Sequence, residues 1–174
     1  HVDRHAHENS HTVYLAYEGP LPHGSGKSVK TDITIRERIV LPLEERPVLR
    51  GYDEYRDLPE DARVRVYSLD EVAVEKTVAL LDRARNEPRD LYDLWFLTAG
   101  GHVRLPDLLD SVARKLEFRG LTLAHVGKEF GAKEPRYRKL WQVRLAPQMA
   151  ELPEFDTVYR AVRRTLRQAG ISRG

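Results

Sequence analysis

Between Ser68 and Phe96 the chain reads S-L-D-E-V-A-V-E-K-T-V-A-L-L-D-R-A-R-N-E-P-R-D-L-Y-D-L-W-F, and no other stretch constrains the fold as much. Ser68 with Glu71 three residues on forms a capping box, so a helix is predicted to begin at about Leu69. Leu69, Val72, Ala73 and Leu80 fall at i, i+3, i+4 and i+11, an apolar stripe that faces a core. Lys76 sits at i+7 of the same stripe, where an ammonium is costly unless it snorkels out or meets an anion. A second helix opens after Pro88 and carries Asp90 and Asp93 three apart, hence on one face. Asp93 is set among Leu91, Tyr92, Leu94, Trp95 and Phe96, poor surroundings for a lone carboxylate. One inward cation and two inward anions on adjoining helices predict a polar cleft.

The rest of the chain divides by pattern. Strand signals dominate residues 1–68: His11 to Tyr17, Lys30 to Arg36, Arg46 to Tyr52 and Arg63 to Tyr67, with a Gly/Pro/Ser-rich connector from Gly19 to Ser28. Residues 69–174 read as helices at about 69–84, 88–98, 105–117, 136–149 and 153–169, broken at Gly100–Gly101, Gly120 and Gly131. Strands followed by helices predict an α+β fold, a sheet with helices on one side. The 174 residues suffice for one ordinary domain or two small ones. With no cysteine there is no disulfide, thiolate zinc site or cysteine nucleophile, which suits a reducing cytoplasm. No apolar run approaches the roughly 20 residues that a membrane span requires. The net charge of +2 is small, but residues 136 to 174 hold nine Lys/Arg against three Asp/Glu.

The segments S-L-D-E-V-A-V-E-K and P-R-D-L-Y-D-L-W-F-L resemble the third conserved region of the AbiEii/AbiGii-type nucleotidyltransferase toxins, the toxin partners of bacterial type IV toxin–antitoxin and abortive-infection systems. V-K-T-D-I-T-I-R-E, Val29 to Glu37, is similar to the strand that carries the third acidic residue of that fold. L-W-Q-V-R-L and L-P-E-F-D-T-V resemble its C-terminal helical part, so the likeness is collinear over roughly Asn9 to Leu166. It implies a partial nucleotidyltransferase-like sheet followed by a helical bundle. The family's first motif, a G-G-[ST] turn followed by an Asp-x-Asp pair, has no counterpart among the 174 residues, and the chain opens on His1 rather than methionine. It therefore reads as the C-terminal portion of a longer protein, with the first two metal ligands upstream.

Each candidate residue has a plainer alternative. Asp32 alternates with Ile33 and Ile35 and faces water, a cleft or another chain. The resemblance makes it the third carboxylate of a Mg²⁺ site, or the base that prepares the attacking hydroxyl; otherwise it is an exposed acid. For Lys76 the resemblance implies contact with the triphosphate, where an ammonium neutralises charge on departing pyrophosphate. The alternatives are a stem covering apolar atoms, or a pair with Glu75 or Asp93. Asp90 lies in a first helical turn, where exposed amides favour any acid. Asp93 is the better functional carboxylate, with Asp90 orienting it and Arg89 within reach at i+4. Gly24-Ser25-Gly26-Lys27-Ser28 lacks the first glycine of a phosphate loop and precedes a strand, so it reads as a turn. His1, Asp3, His5, His7 and His11 crowd a terminus that reads as too loose for more than adventitious metal.

The last helix sets Phe155, Val158, Tyr159, Val162 and Leu166 on one side and Arg160, Arg163, Arg164 and Arg167 on another. A solvated face is the default; a track for an RNA backbone or for an acidic antitoxin are the functional alternatives. Taken together, the expected function is transfer of a nucleoside monophosphate from an NTP to RNA, in the resemblance the tRNA acceptor end, with Mg²⁺. Asp32, Lys76 and Asp93 would be catalytic, and Lys76, Arg89 and Asp90 would contact nucleotide. The competing expectation is a degenerate relative that binds nucleotide, RNA or protein without turnover.

Overall fold

The computed structural model describes residues 2–6, 10–17, 27–34, 37–52, 54, 59–126 and 128–171. The chain is α+β and divides into two compact units, His1–Arg38 and Ile39–Gly174.

The first unit is an antiparallel meander of β1 (Val2–Ala6), β2 (Ser10–Tyr17) and β3 (Lys27–Thr34), with β2 in the middle. β1 was not expected. It pairs His5 with Thr12 and Ala6 with His11, so the segment read as a loose terminus is a strand carrying Asp3 and His5. Its sequence, V-D-R-H-A, has too few β-branched or aromatic residues to announce this. Across β2 and β3 the register sets Thr12 opposite Asp32. His1, His7, Ile35, Arg36 and the connector up to Gly26 lie outside the described residues; Lys27 and Ser28 open β3.

In the second unit β4 (Leu43–Pro47) and β5 (Arg63–Tyr67) form a two-stranded antiparallel sheet. β5 has the expected limits. β4 ends at Pro47, where Arg46 to Tyr52 had been expected to run on. Proline has no N–H to give a ladder, and only Val48 N, donating to Ala62 O at 2.8 Å, continues the pairing. The strands thus form two small sheets rather than one.

The helices are α1 (Leu69–Leu81), α2 (Pro88–Ala99), α3 (Leu109–Phe118), the short α4 (Leu123–Val126) and α5 (Glu129–Ala132), α6 (Glu134–Leu145) and α7 (Phe155–Gln168). A 3₁₀ turn at Leu105–Leu108, begun by Pro106, leads into α3, and another at Ala146–Gln148, around Pro147, finishes α6. Gly120 closes α3 at φ 71°: Leu121 N reaches back to Leu116 O and Gly120 N to Glu117 O, both at 2.9 Å. Only glycine adopts that conformation without strain. Gly131, expected as a break, lies inside α5.

Helix α1 starts where the capping box places it, with Glu71 N donating to Ser68 Oγ at 3.1 Å. It stops at Leu81 rather than 84, because Asp82 turns the chain by accepting Ala84 N at 2.9 Å. The stripe expectation fails at its first residue: Leu69 is 48% exposed. Ala73, Val74, Thr77, Val78, Ala79, Leu80 and Leu81 are buried, because α2, α3, α5 and β5 pack around α1 on several sides. A single stripe describes a surface helix, whereas α1 is a central one. α6 and α7 both pack on α2, with Trp141 buried edge-on against Phe155 and its indole N–H on Pro153 O at 2.9 Å.

Candidate functional site

The α1 and α2 helices pack together and bring Lys76, Asp90 and Asp93 into one group. Lys76 Nζ lies 2.9 Å from Asp90 Oδ1 and 2.6 Å from Asp93 Oδ2. The three side chains form a gradient of access: Asp90 is 3% exposed, Lys76 20% and Asp93 31%. The ammonium is therefore held from within by Asp90 and from the rim by Asp93. Arg89 is exposed and makes no ion pair with Asp93; Lys76 takes that place.

Arg85, which the sequence reading passed over, reaches this group. Its Nη2 is 3.9 Å from Asp90 Oδ2, a buried oxygen with no hydrogen-bond partner. Only its position, five residues before Asp90 in the connector between the two helices, could have singled it out.

A second ionic group, also unforeseen, ties α1 to α3. Lys115 is 1% exposed; its Nζ lies 2.6 Å from Glu71 Oε1 and also contacts Glu75 Oε1. Arg119 reaches Glu75 at 3.4 Å and Asp82 at 3.6 Å. Glu71 completes only half of its capping box. Its carboxylate turns inward instead, accepting Leu41 N at 2.9 Å and Val40 N at 3.3 Å.

Lys133, just before α6, is buried and caps the end of α1. Its Nζ donates to Leu80 O at 2.8 Å, Arg85 O at 2.9 Å, Ala79 O at 3.4 Å and Asp82 O. Ala79 and Leu80 belong to the last turn of α1, whose carbonyls have no partner within the helix, and Asp82 and Arg85 lie beyond it. Burial pushes the ammonium down to about 8, opposed by Asp82, Glu129 and Asp90 and assisted by Arg85. An unfolded lysine keeps its proton to about pH 10.4. Between those values the unfolded chain binds more protons, so this residue's contribution to stability rises with pH. The urea midpoint of the wild type, measured relative to Lys133→Met, is expected to increase from pH 8 to pH 10; a decrease would contradict the assignment.

In the first unit, Asp32 accepts a hydrogen bond from Thr12 Oγ1 at 2.6 Å and pairs with Lys30 Nζ at 3.0 Å. The Thr12 hydroxyl, then the Lys30 ammonium, hold its carboxyl below the usual range. It faces the solvated side of β3 as a single carboxylate. Among the described residues no group of three or more His, Asp or Glu could hold a metal ion. Asp90 and Asp93 are both turned to Lys76. The described residues therefore do not assemble a Mg²⁺ site among themselves, and Asp32 supplies at most one ligand.

On α7, Arg160, Arg163, Arg164 and Arg167 are all exposed, opposite the buried Phe155, Val158, Tyr159, Val162 and Leu166. A hollow of about 480 Å³ lined by Gly131, Glu134, Pro135, Arg138 and Lys139 contains none of the Lys76 group. No described helix is long and apolar enough to cross a membrane.

Lys76 on α1 and the R-D-x-x-D of α2 thus form one charged group, in a chain whose strand-rich beginning carries Asp32. The chain belongs to the family described as the AbiEii nucleotidyl transferase toxin of type IV toxin–antitoxin systems, whose model matches residues 1–161. No curated protein and no solved structure matches it.

Proposed function

We propose that this chain is part of a nucleotidyltransferase toxin that moves a nucleoside monophosphate from an NTP onto RNA, with the tRNA acceptor end as the acceptor we favour. The supporting observation is the Lys76 ammonium, presented between α1 and α2 on an inner and an outer carboxylate. In such a transfer an RNA hydroxyl forms a bond to the α-phosphorus, the bond to the β-phosphate oxygen breaks, and pyrophosphate leaves. Lys76 neutralises charge growing on that leaving group, a preorganised electrostatic contribution. Asp32, kept ionised by Thr12 and Lys30, is assigned the hydroxyl's proton, or one position on a divalent metal. Asp93 orients Lys76 or substrate, with Arg89 and Asp90 as supports. Residues 1–68 would supply the strand part of the nucleotidyltransferase-like domain and 69–174 its helical C-terminal part.

The four exposed arginines of α7 are assigned to the RNA backbone, an interaction that salt weakens. The same reading, supported by the family match, includes a cognate antitoxin as partner and the cytoplasm as the compartment. One observation favours a reading without turnover, a structural helical domain in which Lys76 and Asp93 merely pair with neighbours or a binding module: Lys76 already lies on two carboxylates. Incubating the full-length protein with RNA and each labelled NTP separates the two. Label in RNA is the expected result. NTP retained without incorporation favours the binding module, and the absence of both favours the structural domain.

A further inference from the structure

We infer that Lys133 is a positioning residue for the Lys76–Asp90–Asp93 group, acting through the connector 82–87; this rests on the function proposed above. The geometry forms a chain of contacts. Lys133 Nζ, buried at the junction of α5 and α6, gathers carbonyls from both sides of the end of α1: Ala79 and Leu80 within the helix, Asp82 and Arg85 beyond it. Three N–H donors shared among four carbonyls fix the path of the connector far more tightly than one bond would. That connector joins the helix bearing Lys76 to the helix bearing Asp90 and Asp93.

Holding the Arg85 carbonyl also fixes where the Arg85 side chain departs. Its guanidinium then stands 3.9 Å from the buried, unpartnered Oδ2 of Asp90, whose other oxygen holds Lys76. The hydrogen bonds described for Lys133 go to carbonyls and not to Lys76, Asp90 or Asp93, although its ammonium and the Asp90 carboxylate also attract one another through space. Its influence passes through the main chain and then through Arg85 and Asp90. No short motif encodes this, because the lysine and its acceptors are separated by 48 to 54 residues.

The test uses the full-length protein with Lys133→Met, which keeps most of the side-chain volume and removes the donors. Two readouts are taken. The first, independent of activity, is hydrogen exchange of the amides at 83–87: faster exchange in Lys133→Met is expected, and unchanged exchange overturns the inference. The second is labelled-NTP transfer, expected to fall by about tenfold or more, since displacements near 1 Å typically cost on the order of a hundredfold. Asp90→Asn separates positioning from general destabilisation. If Lys133 acts through Asp90, adding Lys133→Met to Asp90→Asn reduces transfer little further; losses that multiply overturn the inference.

Lys133→Ala supplies a second variant. n-Propylammonium fits the space of the missing chain and is expected to restore both amide protection and transfer. Failure to restore either, in a variant shown to be folded, counts against the inference. Should Lys76→Ala transfer label normally, the role assigned to Lys76 fails, and should the wild type place no label in RNA, the proposed function fails; in either case the exchange data still decide whether Lys133 holds the connector.

Discussion

Lys115→Met is expected to destabilise the second unit by about 3–5 kcal/mol, the usual cost of removing one partner from a buried ion pair. Lys115 is 1% exposed and Glu71 fully buried, so solvent cannot replace the lost ammonium. Glu71 keeps the amides of Val40 and Leu41, and Glu75 keeps Arg119, but both carboxylates lose their shared cation. The strain would fall on the segment before β4, because Glu71 also holds the amides of Val40 and Leu41. Urea unfolding measures the effect. Glu71→Gln in the Lys115→Met background removes one stranded charge and is expected to recover a substantial part of the loss. A single-variant change below about 1 kcal/mol, the value of a solvent-screened pair, would show that water reaches this group.

Local chemistry made the helix starts legible, and long-range chemistry stayed hidden. Ser68 and Glu71 fix the beginning of α1, and Pro88 that of α2, because capping and proline geometry act within one turn. The inward spacing of Lys76, Asp90 and Asp93 likewise announces opposite charges on adjoining helices, and the structure joins them in one group. The plain alternative that Lys76 pairs with Asp93 is part of that geometry too. Glu71 shows where local reading stops. Its position in the capping box is evident, yet its carboxylate serves Lys115, 44 residues away. Lys133 looks like an ordinary polar residue of a short connector, and only tertiary packing turns it toward the end of α1. β1 is hidden for a different reason: its alternation is too polar to stand out, and its pairing with β2 defines it. The exposed arginines of α7 were readable because one strongly amphipathic helix carries both faces.

Asp93→Asn and Asp90→Asn should separate catalysis from support more sharply than alanine substitutions. Asp93 is the outer partner, and Lys76 remains on Asp90 when it is replaced, so the fold is expected to change by less than about 1 kcal/mol. Transfer should nevertheless fall by on the order of a hundredfold or more, the scale seen when one preorganised electrostatic contact is removed. Lys76→Ala should bring the same loss of transfer and abolish growth inhibition. Asp90 is different. It is buried, one oxygen holds Lys76, and the other has no hydrogen bond, with Arg85 at 3.9 Å. Making it neutral strands the ammonium on a single carboxylate inside the protein, so a stability loss of about 1–3 kcal/mol should accompany reduced transfer. Thermal unfolding and labelled-NTP incorporation, measured on the same preparations, distinguish the two residues. If Asp93→Asn is the destabilised variant and transfers normally, the outer carboxylate is structural and Lys76 is a salt-bridge residue. If both variants transfer at the wild-type rate, the ammonium between α1 and α2 takes no part in chemistry.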